Sequence, residues 1–563
     1  MTPAITASTA PAEASAPAPA PARPAAGGRP GGLIVLASLW LASAGNLPLW
    51  RALHGLGVLQ GGRGALFAIG LAAGIAAAQA LLLAPLAWRR SLKPAIGLLL
   101  LTSAVSTHFM LAYGIVVDST MLANLLQTDL HESADLMSGA LWSTLAVLGL
   151  APALAVWRHP LAWAPWPRRL AANLRLAAVS AVVLAAAVLA CYQPLASTLR
   201  NQPGLRHLVN PLNTLQAALK LARRAPAAQT APEPLGTDAQ LSAAARSARP
   251  PLLVLVVGET ARGDHFSLNG YARETTPELA ALGVASQRSA WACGTSTAAS
   301  VPCMFSPLDR TEFDARRGEQ ETLLDVLQHA GLAVLWLDNQ AGCKGVCDRV
   351  PNQRTDREAD PALCHDGECL DDTMLSGLDQ RLAALPADRR ARGVVLVLHQ
   401  MGSHGPAYFK RSGAAHKRFQ PECSTATLQD CAPGTLVNAY DNSIAETDHF
   451  LAATIRWLQA QAGRFDPALL YVSDHGESLG EHNLYLHGLP WALAPDVQKH
   501  VAWIAWLPPA FQRRSGVPAA CLQQRLDERI GHEHLFHSVL GLLDVQTAAY
   551  RPERDFYRAC RQP

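Results

Sequence analysis

The chain has 563 residues, of which 50% are hydrophobic and only 16% are charged, and its formal net charge is +3. Soluble proteins carry about 25% charged residues, so this composition favours a membrane protein with two or more domains. The nearly balanced charge does not indicate binding to nucleic acid, and we expect no nucleic-acid partner.

The first 30 residues form an Ala/Pro-rich tail. A segment of this composition cannot bury enough apolar surface to offset the entropy lost on ordering, so we expect residues 1–30 to be disordered. The tail has no apolar centre, which distinguishes it from a secretory signal peptide.

Five apolar segments follow, at 31–50, 65–87, 95–116, 139–157 and 174–192. Each is close to the ~20 residues that an α-helix needs to cross a bilayer. They predict a transmembrane domain of five helices over residues 31–192. The alternative is that one of the five is a buried helix of a soluble domain.

Lysine and arginine indicate the orientation of the spans. Basic residues precede the first span and occupy the loops after the second and fourth: Arg23, Arg29, Arg89, Arg90, Lys93, Arg158, Arg168, Arg169 and Arg175. The loop 117–138 has no Lys or Arg, whereas Arg51 and Arg63 in the first loop weaken the pattern. The positive-inside rule therefore predicts a cytoplasmic N-terminus, with residues 193–563 outside the membrane.

Ten of the eleven cysteines lie in that outer half, and Cys191 is in the fifth span. Proximity in sequence suggests five pairs: Cys293/Cys303, Cys343/Cys347, Cys364/Cys369, Cys423/Cys431 and, from the remaining two, Cys521/Cys560. Such pairs indicate disulfides in an oxidising compartment. The competing interpretation is zinc binding by the 343/347 and 364/369 pairs, although their spacing is not the usual C-x2-C.

Residues 193–250 connect the two halves. Leucines and basic residues over 205–224 predict an amphipathic helix, which is expected either on the membrane surface or packed on the next domain. Residues 225–237 are a Pro/Ala linker.

From residue 251 to the end at 563, short apolar runs alternate with helical patterns. The runs lie at 252–257, 333–337, 394–398, 469–472 and 502–506, and the helical patterns at 320–331, 372–385 and 437–462. Fully apolar strands between helices predict a mostly parallel sheet covered on both faces. Sites in such sheets collect beyond the carboxyl ends of the strands.

Chemically capable side chains follow three of these strands. Glu259 follows the first, His399 and His404 follow the third, and Asp474 with His475 follows the fourth. Two carboxylates and an imidazole form a plausible zinc ligand set with one position left open.

A threonine hydroxyl is the expected nucleophile. Thr295 or Thr297 would occupy the fourth position, where a dication lowers the hydroxyl pKa, and Thr260 is an alternative nucleophile at the strand end. A helix beginning after Thr297 would direct its free N–H groups towards a phosphoryl group. His404 and His487, each in a Gly-containing turn, are candidates for a second metal or for general acid/base catalysis.

Five motifs in order resemble the phosphoethanolamine transferases, whose catalytic domain is similar to alkaline phosphatase and the sulfatases. They are GETAR at 258–262, CGTSTAASVPCMFS at 293–306, GCKGVCD at 342–348, HQMGSHGP at 399–406 and DHGESLGE at 474–481. The resemblance covers about 31–560, including the five spans. It departs from the family pattern at Glu481-His482-Asn483, where the extra His482 is expected to be exposed.

The resemblance assigns roles to individual residues. It implies that Thr297 is the nucleophile and that Glu259, Thr297, Asp474 and His475 bind zinc: one tightly bound ion, with a second as the alternative. It implies that His404 and His487 bind the substrate or a second zinc, and that Lys344 lies near the phosphate. The residues that it implies for holding the lipid donor are Asn124, Thr128 and Glu132, which share one helical face.

The implied activity is transfer of phosphoethanolamine from phosphatidylethanolamine to lipid A through a covalent threonine intermediate, among membrane lipids at the periplasmic face of the bacterial inner membrane. Family members of this kind confer polymyxin and colistin resistance. The rival interpretations are the same chemistry on a core sugar, glycan or protein, a membrane-anchored phosphodiesterase or other hydrolase, and a non-catalytic membrane sensor.

Overall fold

The structure, a computed structural model, describes residues 27–127, 136–224, 231–355, 362–365 and 368–561. Most of the predicted tail lies outside these ranges.

Among the described residues, five helical segments are long and apolar enough to cross a membrane: Pro30–Gly55, Gly61–Leu86, Leu92–Tyr113, Gly139–Arg158 and Trp166–Ala190. Every one of them presents large apolar side chains at its surface, including Leu36, Leu66, Leu98, Val147 and Val182. A buried helix of a soluble domain would not expose such side chains, so the predicted five-helix membrane half is confirmed.

The helices of this half are α1 (Pro30–Ser43), α2 (Leu47–Gly55), α3 (Gly61–Leu83), α4 (Leu92–Tyr113), α5 (Ser119–Gln127), α6 (Gly139–Thr144), α7 (Ala151–Arg158), α8 (Trp166–Ala190), α9 (Tyr192–Asn201) and α10 (Leu212–Arg224). A π-helical segment, Leu145–Leu150, joins α6 and α7 into the fourth span.

The outer half contains α11 (Ala243–Ser247), α12 (Pro277–Ala281), α13 (Thr297–Met304), α14 (Arg310–Ala315), α15 (Leu323–His329), α16 (Leu378–Ala384), α17 (Ala387–Arg390), α18 (Pro433–Ala460), α19 (Pro509–Ser515), α20 (Ala519–Gln524) and α21 (Leu535–Leu542). Its strands are β1 (Gln240–Leu241), β2 (Pro251–Gly258), β3 (Ala285–Trp291), β4 (Ala333–Asp338), β5 (Asn352–Arg354), β6 (Cys364–His365), β7 (Glu368–Cys369), β8 (Val394–His399), β9 (Asp466–Ser473), β10 (Ser478–Leu479), β11 (Tyr485–Leu486), β12 (His500–Trp506), β13 (Ile530–Gly531) and β14 (Val545–Gln546).

Eight of these strands form the central sheet, in the order β13-β3-β12-β9-β2-β8-β4-β5. Alternate residues of β2 point to opposite faces: Leu253, Leu255 and Val257 pack in one hydrophobic cluster, and Leu252 and Val254 in the other. A strand that is apolar on both faces is typical of a sheet covered by helices on both sides, as the sequence predicts.

The sheet is mostly parallel, as predicted, and one of its strands runs in the opposite direction. β12 is antiparallel to both of its neighbours, β9 and β3. The connection from β9 to β12 contains the short β10–β11 hairpin and no crossover helix, so the chain returns in the opposite direction. The sequence analysis also missed β3, because Ser286, Gln287 and Arg288 interrupt its apolar pattern.

The two halves meet near the end of the third span. Tyr113 and Ile115 belong to one of the hydrophobic clusters of the outer sheet, and the Gln429 amide donates to the carbonyl oxygen of Ala112. Helix α5 packs against both α13 and α10. The predicted amphipathic helix therefore packs on the membrane half, and its Asn213 amide donates to the Val117 carbonyl over 2.7 Å.

All five predicted cysteine pairs are disulfides: Cys293–Cys303, Cys343–Cys347, Cys364–Cys369, Cys423–Cys431 and Cys521–Cys560. Cys191 is free and buried. Because the 343/347 and 364/369 pairs are oxidised, their thiolates are not available as metal ligands, and the alternative zinc site falls away.

Candidate active site

The register of the sheet brings two carboxylates together. Gly258 of β2 pairs with Ser473 of β9, so Glu259 and Asp474 leave the same sheet edge as neighbours. The ligand atoms of Glu259, Asp474 and His475 all lie within 4.8 Å of one another. His475 Nε2 is 3.3 Å from Glu259 Oε1 and 3.4 Å from Asp474 Oδ2, and all three side chains are fully buried.

The charges of this trio are compensated internally. Burial and the adjacent Glu259 charge raise the pKa of Asp474 to about 6. Burial would lower the pKa of His475, but Asp474 and Glu259 outweigh it and raise that pKa to about 10. Burial likewise opposes ionisation of Glu259, yet the hydrogen bond from His475 keeps its pKa well below the usual value. A protonated His475 ring thus offsets part of the negative charge of the two carboxylates, as a bound cation would.

The trio fits a divalent metal. Asp474 Oδ2 is buried and, among the described residues, accepts no hydrogen bond. An orphaned carboxylate oxygen beside a second carboxylate is costly unless a cation lies between them. Two carboxylate oxygens and an imidazole nitrogen are suitable ligands for zinc, and they leave a fourth position open.

Thr297 lies beside this position. It is the first residue of α13, as the sequence predicts to within one residue, and its hydroxyl donates to Glu259 Oε2 over 3.0 Å. The Thr297 hydroxyl oxygen is also 3.5 Å from His475 Nε2. A helix N-terminus favours negative charge, which is the charge that a phosphoryl group carries.

The other two candidate hydroxyls are engaged differently. Thr295 Oγ1 donates to the Leu489 carbonyl over 2.6 Å, away from the carboxylates. Thr260 has no exposed surface, and its hydroxyl donates to Glu259 Oε1 over 2.6 Å. Of the three threonines, only Thr297 lines a cavity that a substrate can enter.

The histidines predicted for acid/base chemistry are close to the trio. The ring centroid of His487 lies 4.2 Å from that of His475 and 5.6 Å from that of His404. His487 Nδ1 is 3.4 Å from the carboxylate of Glu477. Burial and the His475 charge lower the pKa of His487, which favours the neutral imidazole that a general base requires.

Two further histidines from the sequence analysis stand apart. His399 is fully buried and pairs with Asp338 over 2.9 Å, beneath the site. His482 is exposed, as expected.

Five of the ten predicted site residues line one cavity, which we refer to as the Thr297 cavity. Its lining includes Thr297, Lys344, His404, His487 and, from the membrane half, Ile115, Met121, Asn124, Leu125 and Leu136. Thr128 and Glu132 lie outside the described residues, so of the predicted polar face the structure describes Asn124. The cavity therefore has an apolar wall from the membrane half and a polar wall from the outer half.

Lys344 is held in a tight loop. Gly342, Lys344 and Gly345 all have positive φ values of 88°, 52° and 91°, and the Cys343–Cys347 disulfide closes the loop. The Lys344 ammonium donates to the Ala341 carbonyl over 2.9 Å.

The sequence analysis missed His532, which follows the short edge strand β13. Its Nδ1 accepts the Cys293 backbone N–H over 3.2 Å, and its Nε2 is 3.0 Å from the Ser473 carbonyl. It therefore links the loop that carries Thr297 to the end of β9, immediately before Asp474. Only a neutral ring protonated at Nε2 makes both bonds, and burial lowers its pKa to about 4. No sequence motif marks this residue.

Gln340 was missed as well. Its amide donates to Glu259 Oε2 over 3.2 Å and it lines the Thr297 cavity. The signal that was available is its position two residues after the end of β4, at the same sheet edge as the trio.

Comparison with known proteins agrees with this architecture. A family model described as Sulfatase matches residues 251–545, and a model described as Phosphoethanolamine transferase EptA/EptB matches residues 75–225. The first match defines the class of the outer half, a sulfatase-like α/β domain.

The relatives are similar over most of the chain. "Phosphoethanolamine transferase EptA" of Salmonella typhimurium is 40% identical, over 82% of this chain and 84% of its own. "Phosphatidylethanolamine transferase Mcr-1" of Escherichia coli is 39% identical, over 84% and 87%. The solved "Integral membrane protein lipooligosaccharide phosphoethanolamine transferase A (EptA)" of Neisseria meningitidis aligns with a TM-score of 0.89 at 35% identity, over 94% of this chain and 99% of its own. The chain belongs to the phosphoethanolamine transferase family.

Proposed function

We propose that this chain transfers phosphoethanolamine from phosphatidylethanolamine to lipid A through a covalent intermediate on Thr297. The observation that carries the proposal is the position of the Thr297 hydroxyl, which lies between a buried carboxylate–imidazole trio and a cavity with an apolar wall from the membrane half. A lipid donor needs both surfaces: the apolar wall for its chains and the polar wall for its head group.

Glu259, Asp474, His475 and Thr297 would hold one zinc ion, which when bound lowers the hydroxyl pKa and polarises a phosphoryl oxygen. Glu259 accepts the hydrogen bond of the Thr297 hydroxyl and so orients its oxygen. A second zinc near His404 and His487 remains the alternative to direct acid/base roles for these two rings.

The reaction then proceeds in two displacements. Thr297 Oγ1 forms a bond to phosphorus, the bond from phosphorus to the diacylglycerol oxygen breaks, and His404 or His487 passes the proton lost by the Thr297 hydroxyl to the leaving alcohol. In the second step an acceptor oxygen attacks the same phosphorus, the bond to Thr297 breaks and the hydroxyl is restored. Lys344 and Asn124, which line the cavity, would bind the head group.

Lipid A is the proposed acceptor because the Neisseria meningitidis relative acts on lipooligosaccharide by its name. Adding an ethanolamine ammonium to lipid A offsets its negative charge, so the proposed phenotype is polymyxin and colistin resistance.

We place the five spans, within 31–192, in the bacterial inner membrane. Residues 193–250 form the connection, and residues 251–563 form a catalytic domain in the periplasm. The loop charges and the five disulfides support this orientation.

The test is the mass spectrum of lipid A from a Gram-negative host that expresses the chain. We expect a phosphoethanolamine adduct with the unmodified chain, none with Thr297→Ala, and partial activity with Thr297→Ser, which keeps a hydroxyl. Thr295→Ala is the matched control, because its hydroxyl faces Leu489. Equal adduct from Thr297→Ala would refute the assigned nucleophile. If a well-expressed chain forms no adduct on lipid A, the acceptor is a different molecule.

A further inference from the structure

A second cavity adjoins the Thr297 cavity along helix α13. Its volume is ≈ 500 Å³, and Ala298 and Lys344 line both cavities. Pro302, four residues beyond Ala298 on the same side of α13, and Ser306, just past the end of that helix, continue its wall. We call this second cavity the α13 groove.

The walls of the two cavities differ in chemistry. The Thr297 cavity includes apolar side chains of α5, whereas the described lining of the α13 groove includes no residue of the membrane half. Its charged lining consists of the cations Arg316, Lys344 and Arg349 and the carboxylates Glu319, Glu321 and Asp348. These charges offer partners to a polar head group that carries both phosphate and hydroxyl groups.

The two arginines are held in place before any ligand arrives. Arg349 makes two hydrogen bonds, of 2.8 and 2.7 Å, to the carboxylate of Asp325, whose side chain is only 4% exposed. The Arg316 guanidinium lies 3.5 Å from the ring centroid of Phe313 and 3.2 Å from Glu319. Preorganised side chains lose less entropy on binding, which favours a specific ligand over a diffuse ion cloud.

We propose that the α13 groove binds the phosphorylated sugar of the acceptor, with its phosphate at the shared wall near Lys344 and its hydroxyl groups facing the carboxylates. This inference rests on the proposed function and adds the place from which the second substrate approaches. The acceptor phosphate oxygen forms a bond to the phosphorus of the Thr297 adduct, the bond from Thr297 to phosphorus breaks, and the proton released by the acceptor returns to Thr297 Oγ1. The donor and the acceptor thus reach the reaction site at Thr297 from two different cavities.

The experiment separates the two half-reactions of the full-length chain in detergent micelles. Intact-protein mass spectrometry follows the Thr297 adduct after mixing with phosphatidylethanolamine, and lipid A is then added to follow transfer. Arg316→Ala removes a cation of the groove. Arg317→Ala, its exposed neighbour outside the groove, removes the same charge and is the matched control.

We expect Arg316→Ala to raise the KM for lipid A about 5- to 10-fold, because the groove loses one of the three cations that face the anionic head group. The rate of adduct formation and the KM for phosphatidylethanolamine should stay within twofold of the control. Glucosamine 1-phosphate should compete with lipid A and not with phosphatidylethanolamine.

The remaining outcomes overturn one proposal or the other. If both variants have the same KM for lipid A, the groove is not the acceptor site. If Arg316→Ala instead slows adduct formation, the groove holds the head group of the donor, and our assignment is wrong. If the unmodified chain forms no Thr297 adduct, it is the proposed function that fails.

Discussion

The two sides of the active site are held by different means. Glu259 and Asp474 continue two neighbouring parallel strands whose last residues, Gly258 and Ser473, pair in the sheet. Thr297 instead lies six residues beyond Trp291, the end of β3, in a segment without sheet pairing. The Cys293–Cys303 disulfide and His532 hold that segment in place.

Under the proposed function, this difference separates zinc binding from the position of the nucleophile. The carboxylates cannot move apart without disrupting the centre of the sheet, so the ligand set is as stable as the fold. The nucleophile segment can shift by local changes while the sheet stays intact. Substitutions on the ligand side should therefore abolish both zinc binding and activity, and substitutions that loosen the nucleophile segment should lower the rate alone.

The largest expected effect is on the ligand side. Glu259→Gln removes the negative charge of a proposed zinc ligand that also accepts the Thr297 hydrogen bond, and we expect kcat/KM to fall by about 10³-fold, or about 4 kcal/mol. Zinc content by mass spectrometry of the metal should fall in parallel. Asp496→Asn, at an exposed carboxylate, is the control and should change neither quantity. A zinc-replete, active Glu259→Gln protein would contradict the ligand assignment.

The next effect tests His532, which we interpret as a positioning residue. His532→Ala should lower kcat about 10- to 100-fold, because the nucleophile segment loses its link to β9, while zinc content and the KM for phosphatidylethanolamine stay unchanged. His532→Gln should recover part of the rate, because an amide offers both a donor and an acceptor.

The matched control is His537, a second fully buried histidine that joins two backbone groups, the Arg551 N–H and the Pro307 carbonyl. His537→Ala should cost a similar stability, about 1–3 kcal/mol for the groups left unpaired, without lowering kcat. Equal rate losses in both variants would show that His532 acts through general stability.

A smaller effect on rate is expected from the disulfide of the nucleophile segment. Cys293→Ser/Cys303→Ser should lower kcat about 3- to 10-fold and the free energy of unfolding by about 3 kcal/mol, as for a closed loop with a sequence separation of 10. Cys521→Ser/Cys560→Ser opens a longer loop, with a separation of 39, and should cost about 4 kcal/mol with no change in kcat. Thermal unfolding and steady-state transfer rates measure the two quantities. An unchanged rate in the first variant would make that disulfide incidental to catalysis.

The smallest effect concerns stability at low pH. Burial lowers the pKa of both His532 and His537 to about 4, from 6.5 in an unfolded chain. The unfolded state then binds more protons, so this stability is fully present above pH 6.5 and is lost as the pH falls from 6.5 to 4, by about 3 kcal/mol at most for each ring. Melting temperatures at pH 7 and pH 4.5 measure the decline, which should be smaller in His537→Ala. An equal decline in that variant would show that other groups control it.

Much of this architecture could be predicted because the relevant signals are local. The five spans follow from apolar length, β2 and β8 from unbroken apolar runs, and the disulfides from cysteines a few residues apart. β3 could not be predicted in this way, because Ser286 and Gln287 are buried by neighbouring elements and not by an apolar pattern of their own. The direction of β12 was equally hidden, since it depends on how the chain returns from β9.

The residues of the active site show the same distinction between local and long-range signals. The placement of Glu259, Asp474 and His475 after strands was sufficient to group them, because parallel strands end at one edge of a sheet. The residues alone left three threonines as possible nucleophiles, and of these Thr297 both contacts Glu259 and lines the Thr297 cavity. His532, 235 positions away from Thr297 in the numbering, had no signal at all.

Composition, apolar periodicity and cysteine spacing were thus enough for the two-part organisation and for the carboxylate–imidazole trio, because each depends on a few consecutive residues. Only the folded chain decided which hydroxyl contacts both the trio and the Thr297 cavity, that α5 closes one side of this cavity, and that a charged groove adjoins it along α13. Those features depend on packing between segments far apart in the chain, where side-chain shape and strand register select one arrangement among many that the local pattern permits.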